Sequence, residues 1–107
     1  MIDNQTATII TSLAKDLPQV SIGKHINSIN FLIGKKVFAF IKKESLIIKL
    51  PKEKIEELIA NKAASRLIMG KREMKEWAVI KHNNPEEYRK DKLLLQESVA
   101  FVSSKLS

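Results

Sequence analysis

The chain has 107 residues, 44% of them apolar and 29% charged, which suits one domain built on one core. It contains no cysteine, which excludes disulfide staples, a thiol nucleophile and thiolate metal sites, and no run approaches the roughly 18–20 apolar residues of a membrane span. The net charge is +7, and its excess sits in residues 24–50, with six lysines against Glu44, and in residues 62–81, with six basic residues against Glu73 and Glu76.

Asp3 to Leu17 reads as a helix. Asp3 or Asn4 can cap it, Ile9, Ile10, Leu13 and Leu17 recur at helical spacing, and Pro18 stops it. The opening ten residues lack the basic and apolar regions of a secretory leader, so a cytoplasmic location is expected. From Val20 to Leu50 the period changes to two. Three strands are predicted there, in INSINFLIG, KKVFAFIKK and SLIIKL, with turns at Gly34-Lys35-Lys36 and at Lys42-Lys43-Glu44-Ser45. Alternation over Val37–Ile41 puts Val37, Ala39 and Ile41 on one face and Phe38 and Phe40 on the other, the pattern of a central strand. Leu46, Ile48 and Leu50 share a face and Lys49 takes the opposite one, as in a sheet with one wetter side.

Pro51 opens a second helix, PKEKIEELIAN, with Ile55, Leu58 and Ile59 as its apolar stripe and Asn61 as its stop. SRLIMG reads as a short edge strand, and EWAVIK as a strand apolar on both faces. Asn84 caps a final helix from Pro85 to Leu106, lined by Tyr88, Leu95, Val99 and Val102. The predicted order is α-β-β-β-α-β-β-α. That is a two-layer α+β domain, an antiparallel sheet of about five strands with helices packed on it.

The stretch GKKVFAFIKKESLIIKLPKEKIEELI, followed by GKREMKEWAVI, resembles the TfoX N-terminal domain family and the related YjbR-like group. In that family a hairpin of the type g-k-v-F-a leads to L-x-L-K-L-P and a helix. A strand of the type M-x-x-W/Y-v-x-v and a terminal helix follow. The matching positions are Phe38, Ala39, Leu46, Ile48, Lys49, Leu50, Pro51, Met74, Trp77 and Val79, within a resemblance that spans residues 20–102. These are packing residues, so the resemblance implies a small two-layer α/β domain rather than a particular activity. Full-length TfoX (Sxy) proteins regulate DNA-uptake competence with this domain and a second, helical one, of which only the first is covered here. The Met-Phe-Gly pattern usual after the first helix is replaced by SIGKHI, Ser21 to Ile26. A competence role is therefore not carried over, and the likeness of YjbR-like domains to DNA-binding folds implies nucleic-acid contact by analogy alone.

No catalytic motif is present. His25 and His82 form no H-x-x-x-H or HExxH pattern, and no serine stands in G-x-S-x-G. Gly23, Gly34 and Gly70 cannot build a phosphate-binding loop or a dinucleotide fingerprint. The pairs Glu56–Glu57 and Glu86–Glu87 read as helix first turns or solvated faces. No metal, cofactor or catalytic residue is therefore expected. An enzyme would need a pair distant in sequence, such as His25 or His82 brought to a carboxylate in a deep pocket.

The basic residues form clusters. Lys35 and Lys36 sit at one hairpin and Lys42 and Lys43 at the next, about 20 Å away along one strand, so a single patch cannot hold both. Lys71, Arg72 and Lys75 precede the tryptophan strand. The expected phosphate-contacting set is Lys35, Lys36, Lys71, Arg72 and Lys75. Arginine is scarce, which argues against bidentate base reading. Phe31, Phe38, Phe40 and Phe101 read as core, and Trp77 as buried; Met69 and Met74 flank the basic loop and could complete a partner surface. The leading reading is a cytoplasmic, non-catalytic regulatory or binding module making weak, non-specific nucleic-acid contacts. The alternatives are a protein-interaction module or homodimer using a sheet edge or the terminal helix, lysines that serve only as a solubility coat, and an enzyme.

Overall fold

The β-branched and aromatic residues between Val20 and Lys49 build four consecutive antiparallel strands, one more than the sequence predicts. The computed structural model describes residues 4–25, 28–42 and 45–106. Helix α1 (Asn4–Lys15) leads into β1 (Val20–His25), β2 (Ser28–Ile33), β3 (Lys36–Lys42) and β4 (Ser45–Lys49). Helix α2 (Lys52–Ala60), β5 (Ser65–Met69) and β6 (Arg72–Ile80) follow, and the chain closes with a 3-10 helix (Pro85–Asp91) and helix α3 (Lys92–Leu106). The fold is α+β, with one six-stranded antiparallel sheet in the order β1-β2-β3-β4-β6-β5. The additional strand is β1, where half-buried Val20 and Ile22 alternate with exposed Ser21 and Lys24. Of the sequence expectations, the Asp3 cap, Ile26, the Lys43-Glu44 centre of the second turn and the side chain of His25 lie outside the described residues.

Local chemistry sets the ends of the helices. Asn84 accepts a hydrogen bond from the Glu86 backbone N–H at 3.0 Å, as expected of a cap. The predicted final helix is nevertheless split, its first seven residues being a 3-10 helix before α3 begins. Beyond α2, Lys62 takes a left-handed backbone (φ 59°). Its N–H donates to the Ile59 carbonyl at 3.0 Å, and the Ala63 N–H donates to that of Leu58 at 2.8 Å. This pair of bonds is the usual closure for the free carbonyls of a helix end.

One irregularity decides which side chains face where. Phe31 pairs with Ala39 while Leu32 pairs with Val37, so Phe38 is an extra residue in β3. A bulge of this kind re-aims the residues around it. Phe38 joins Ala39 and Ile41 in the core, with its ring centroid 6.4 Å from that of Phe31. Val37 turns to the opposite face with Phe40. The alternation predicted for Val37–Ile41 is thus corrected at Val37 and Phe38. Ser98 of α3, itself fully buried, places its Oγ 3.2 Å from the Phe38 carbonyl and 2.5 Å from that of Lys49. It ties the bulge and the end of β4 to the helix above them.

The sheet therefore has two unlike faces. On one, Phe31, Phe38, Ile41, Leu46, Ile48 and Ile80 pack with Ile10 of α1, Ile55 of α2, Tyr88 of the 3-10 helix and Leu95 of α3, all buried in a single core. A Lys54–Glu97 ion pair at 3.8 Å links α2 to α3 on that side. On the other, Phe40, Ile47 and Val79 stand in one cross-strand row, with Trp77 opposite Lys49. None of these belongs to the core. Among the described residues no helix is long and apolar enough to cross a membrane.

Candidate nucleic-acid interface

The β5–β6 hairpin turns at Gly70, whose φ of 65° falls in the region that favours glycine. It presents Lys71 and Arg72 at its tip and Lys75 along β6, all exposed. Strand order brings β6 beside β4, so the hairpin meets the end of β4 and the start of α2. Lys49, Lys52, Lys71, Arg72 and Lys75 consequently line one hollow of about 840 Å³, together with Glu73, Met74, Glu76 and Trp77.

Both carboxylates of this hollow already have partners. Glu73 pairs with Arg66 at 3.2 Å, and Glu76 with Lys105 at 3.0 Å and Lys49 at 4.0 Å. Lys52 pairs with Glu56 at 4.0 Å. Among the described residues, Lys71, Arg72 and Lys75 have no carboxylate within 4.0 Å, so their charge is available to a ligand. Like-signed charge in a concave site concentrates polyanions.

Of the five residues expected to contact phosphate, the structure gathers Lys71, Arg72 and Lys75. Lys35 and Lys36 lie at the same end of the sheet, because β3 and β6 both begin there, but they do not line this hollow. With β4 between them, β3 and β6 are two strand spacings apart, about 10 Å. Lys42 stands at the far end of β3, as its place in the strand requires. The sequence reading missed Lys49 and Lys52 because they become neighbours of the hairpin only through the β4–β6 pairing. The alternation of β4 already pointed Lys49 away from the core, which was the one available signal.

The aromatic assignments also change. Phe31 and Phe38 are core, and Phe101 is partly buried against it, with Lys105 Nζ 4.4 Å above its ring. Phe40 and Trp77 are not core. Both are partly exposed on the open face, their rings 5.7 Å apart, and Lys49 Nζ lies 5.6 Å from the Trp77 ring centre. The burial expected for Trp77 is thus overturned by the side of β6 on which it falls. Val37, Phe40 and Trp77, with Ser28, Asn30 and Lys42, line a second, shallower hollow of about 540 Å³. Trp77 is common to both hollows.

His82 does meet carboxylates. Its Nε2 lies 2.9 Å from Asp91 Oδ2, and its Nδ1 4.0 Å from Glu87 Oε2. The His82 backbone N–H donates to Tyr88 Oη at 3.3 Å, and the Tyr88 hydroxyl donates to the Ile80 carbonyl at 3.4 Å. Burial pushes the Asp91 carboxyl above its usual range, against the opposing pull of the His82 hydrogen bond and charge and of Lys90. Neither hollow, nor a third between α1 and the β1–β2 hairpin lined by Lys15 and Lys24, has His82 or Asp91 in its wall. The cluster fastens the 3-10 helix to the end of β6. Comparison of the chain with protein-family models, with curated proteins and with solved structures finds no match.

Proposed function

We propose that the chain is a cytoplasmic, non-catalytic binding module of the TfoX N-terminal type, and that its ligand is nucleic acid. The observation that carries this reading is the hollow beside the β5–β6 hairpin, where three basic side chains with no carboxylate partner among the described residues join Lys49 and Lys52. Lysines hold phosphates as point charges, without reading base edges, so the affinity is weak and tolerant of sequence. Lys35 and Lys36, at the same end of the sheet, extend the positive field beyond the hollow. The family assignment draws its support from the L-x-L-K-L-P element, Leu46 to Pro51, which here forms β4 and the entry to α2, and from Met74, Trp77 and Val79 in β6.

The test is fluorescence anisotropy of labelled DNA and RNA across a range of salt concentrations. Binding should weaken steeply with salt, and the combined charge reversal Lys71→Glu, Arg72→Glu and Lys75→Glu should abolish it at near-physiological salt. If each of the three neutralises one phosphate, the slope of log affinity against log salt falls by about 2–3 in milder, neutral variants. No binding at low salt would overturn the reading. A second reading, a protein-interaction module or homodimer, draws on exposed Ile68 and Met69 of β5. It requires a size that grows with concentration in sedimentation.

A further inference from the structure

The basic hollow does not account for the open face of the sheet next to it. Val37 and Phe40 of β3 and Trp77 of β6 project onto that face, where the core and the helices do not cover them. Ile47, between Phe40 and Val79 in the cross-strand row, is almost wholly shielded by these neighbours, so the row forms a continuous apolar floor. Among the described residues, the hollow has no acidic residue in its wall. Its polar residues are Ser28, Asn30 and Lys42, and on the other side Lys49 sits over Trp77. The face therefore offers two aromatic rings, hydrogen-bonding groups of both kinds and a cation at each end. Trp77 joins this floor to the basic hollow, so a ligand held by its phosphates at Lys71, Arg72 and Lys75 can reach the rings without leaving the surface.

We infer that the open sheet face binds single-stranded nucleic acid, with unpaired bases resting on Trp77 and Phe40 and the backbone running into the basic hollow. This rests on the polyanion reading above and names the form of its ligand. Aromatic platforms within a positively charged groove take successive bases of a single strand, whatever their identity, because every base has a π face. In a duplex those faces are stacked inside the helix and closed to the protein. A second copy of the chain fits the face poorly. A two-fold contact through it would bring Lys42 of both copies onto a hollow that, among the described residues, offers no carboxylate, and the Glu76 beside Lys49 is already shared with Lys105.

Trp77 is the only tryptophan, so its intrinsic fluorescence reports from the site itself. The experiment titrates the protein with short oligothymidylate, with an abasic phosphodiester of equal length and charge, and with duplex DNA. The expected result is quenching of Trp77 by oligothymidylate, with tighter binding than to the abasic chain or the duplex. Trp77→Ala should weaken oligothymidylate binding about tenfold or more by anisotropy, weaken binding of the abasic chain by a much smaller factor, and be partly rescued by Trp77→Phe. Denaturation midpoints of both variants control for folding, and the fluorescence of the unaltered protein gives a reading that needs no mutation. Equal binding of oligothymidylate and abasic chain with unchanged fluorescence would overturn the stacking inference and leave the polyanion reading standing. If no polymer binds at low salt, both fall. Self-association abolished by Trp77→Ala would give the face to a second copy instead and overturn the inference.

Discussion

The covered and the open faces of this sheet are made by the same strands, yet they hold their apolar residues differently. Phe38 and Phe40 are two positions apart in β3. The first is fully buried beside Phe31, and the second is partly exposed beside Trp77. In a regular strand both rings would share one side. The bulge at Phe38 separates them, so one residue of extra chain divides packing from recognition. Apolar content in a strand is thus no measure of how much core the strand supplies.

Substitution of the two phenylalanines is the strongest way to break that comparison. Phe38→Ala should cost about 3–5 kcal/mol in urea denaturation, because it opens a cavity that the close-packed core cannot refill. Phe40→Ala should cost roughly half as much, since water already reaches its ring. Equal losses would mean that the faces do not differ in the way their burial indicates. Ser98→Ala should come next, at about 1–3 kcal/mol, because it strips the buried Phe38 carbonyl and the part-buried Lys49 carbonyl of their hydroxyl partner. A loss near zero would show that the bulge stands without its tie to α3.

The smallest expected effect is one of pH, and it sharpens the comparison because Asp91 is the buried carboxylate on the covered side. Its folded pKa is raised, so between the ordinary carboxylate value and the raised one the folded chain holds more protons than the unfolded. Its contribution is therefore complete below the unfolded pKa and is lost as pH rises through the folded pKa. Asp91→Asn should flatten that decline in denaturation midpoints taken across the acid range, with His82, Glu87 and Lys90 left in place. A profile identical to that of the parent would remove Asp91 as its source.

Much of this architecture can be read from particular residues. Ile9, Ile10 and Leu13 mark α1, Pro51 opens α2, and Asn84 caps the segment after β6, each through local chemistry that needs no tertiary partner. β1 escaped notice because Ser21 and Gly23 dilute its alternation, and its hydrogen bonds to β2 outweigh that weak propensity. The bulge left no mark either, since Val37-Phe38-Ala39 is apolar throughout and fits either facing. The hairpin cations of the site were visible as a cluster. Lys49, Lys52 and Trp77 were not, because their meeting depends on β6 rather than β5 lying beside β4.

That same strand order leaves β5 at the border of the sheet, with Ile68 64% and Met69 59% exposed. A border strand carries a row of unsatisfied backbone groups and invites a strand from another molecule. Here Lys71 and Arg72 follow directly at the turn, so a parallel, in-register approach of two such borders brings their positive ends together. The charge that draws in a polyanion thus also opposes the in-register stacking of these borders. Added salt acts on both at once, loosening the ligand and lowering the barrier between borders.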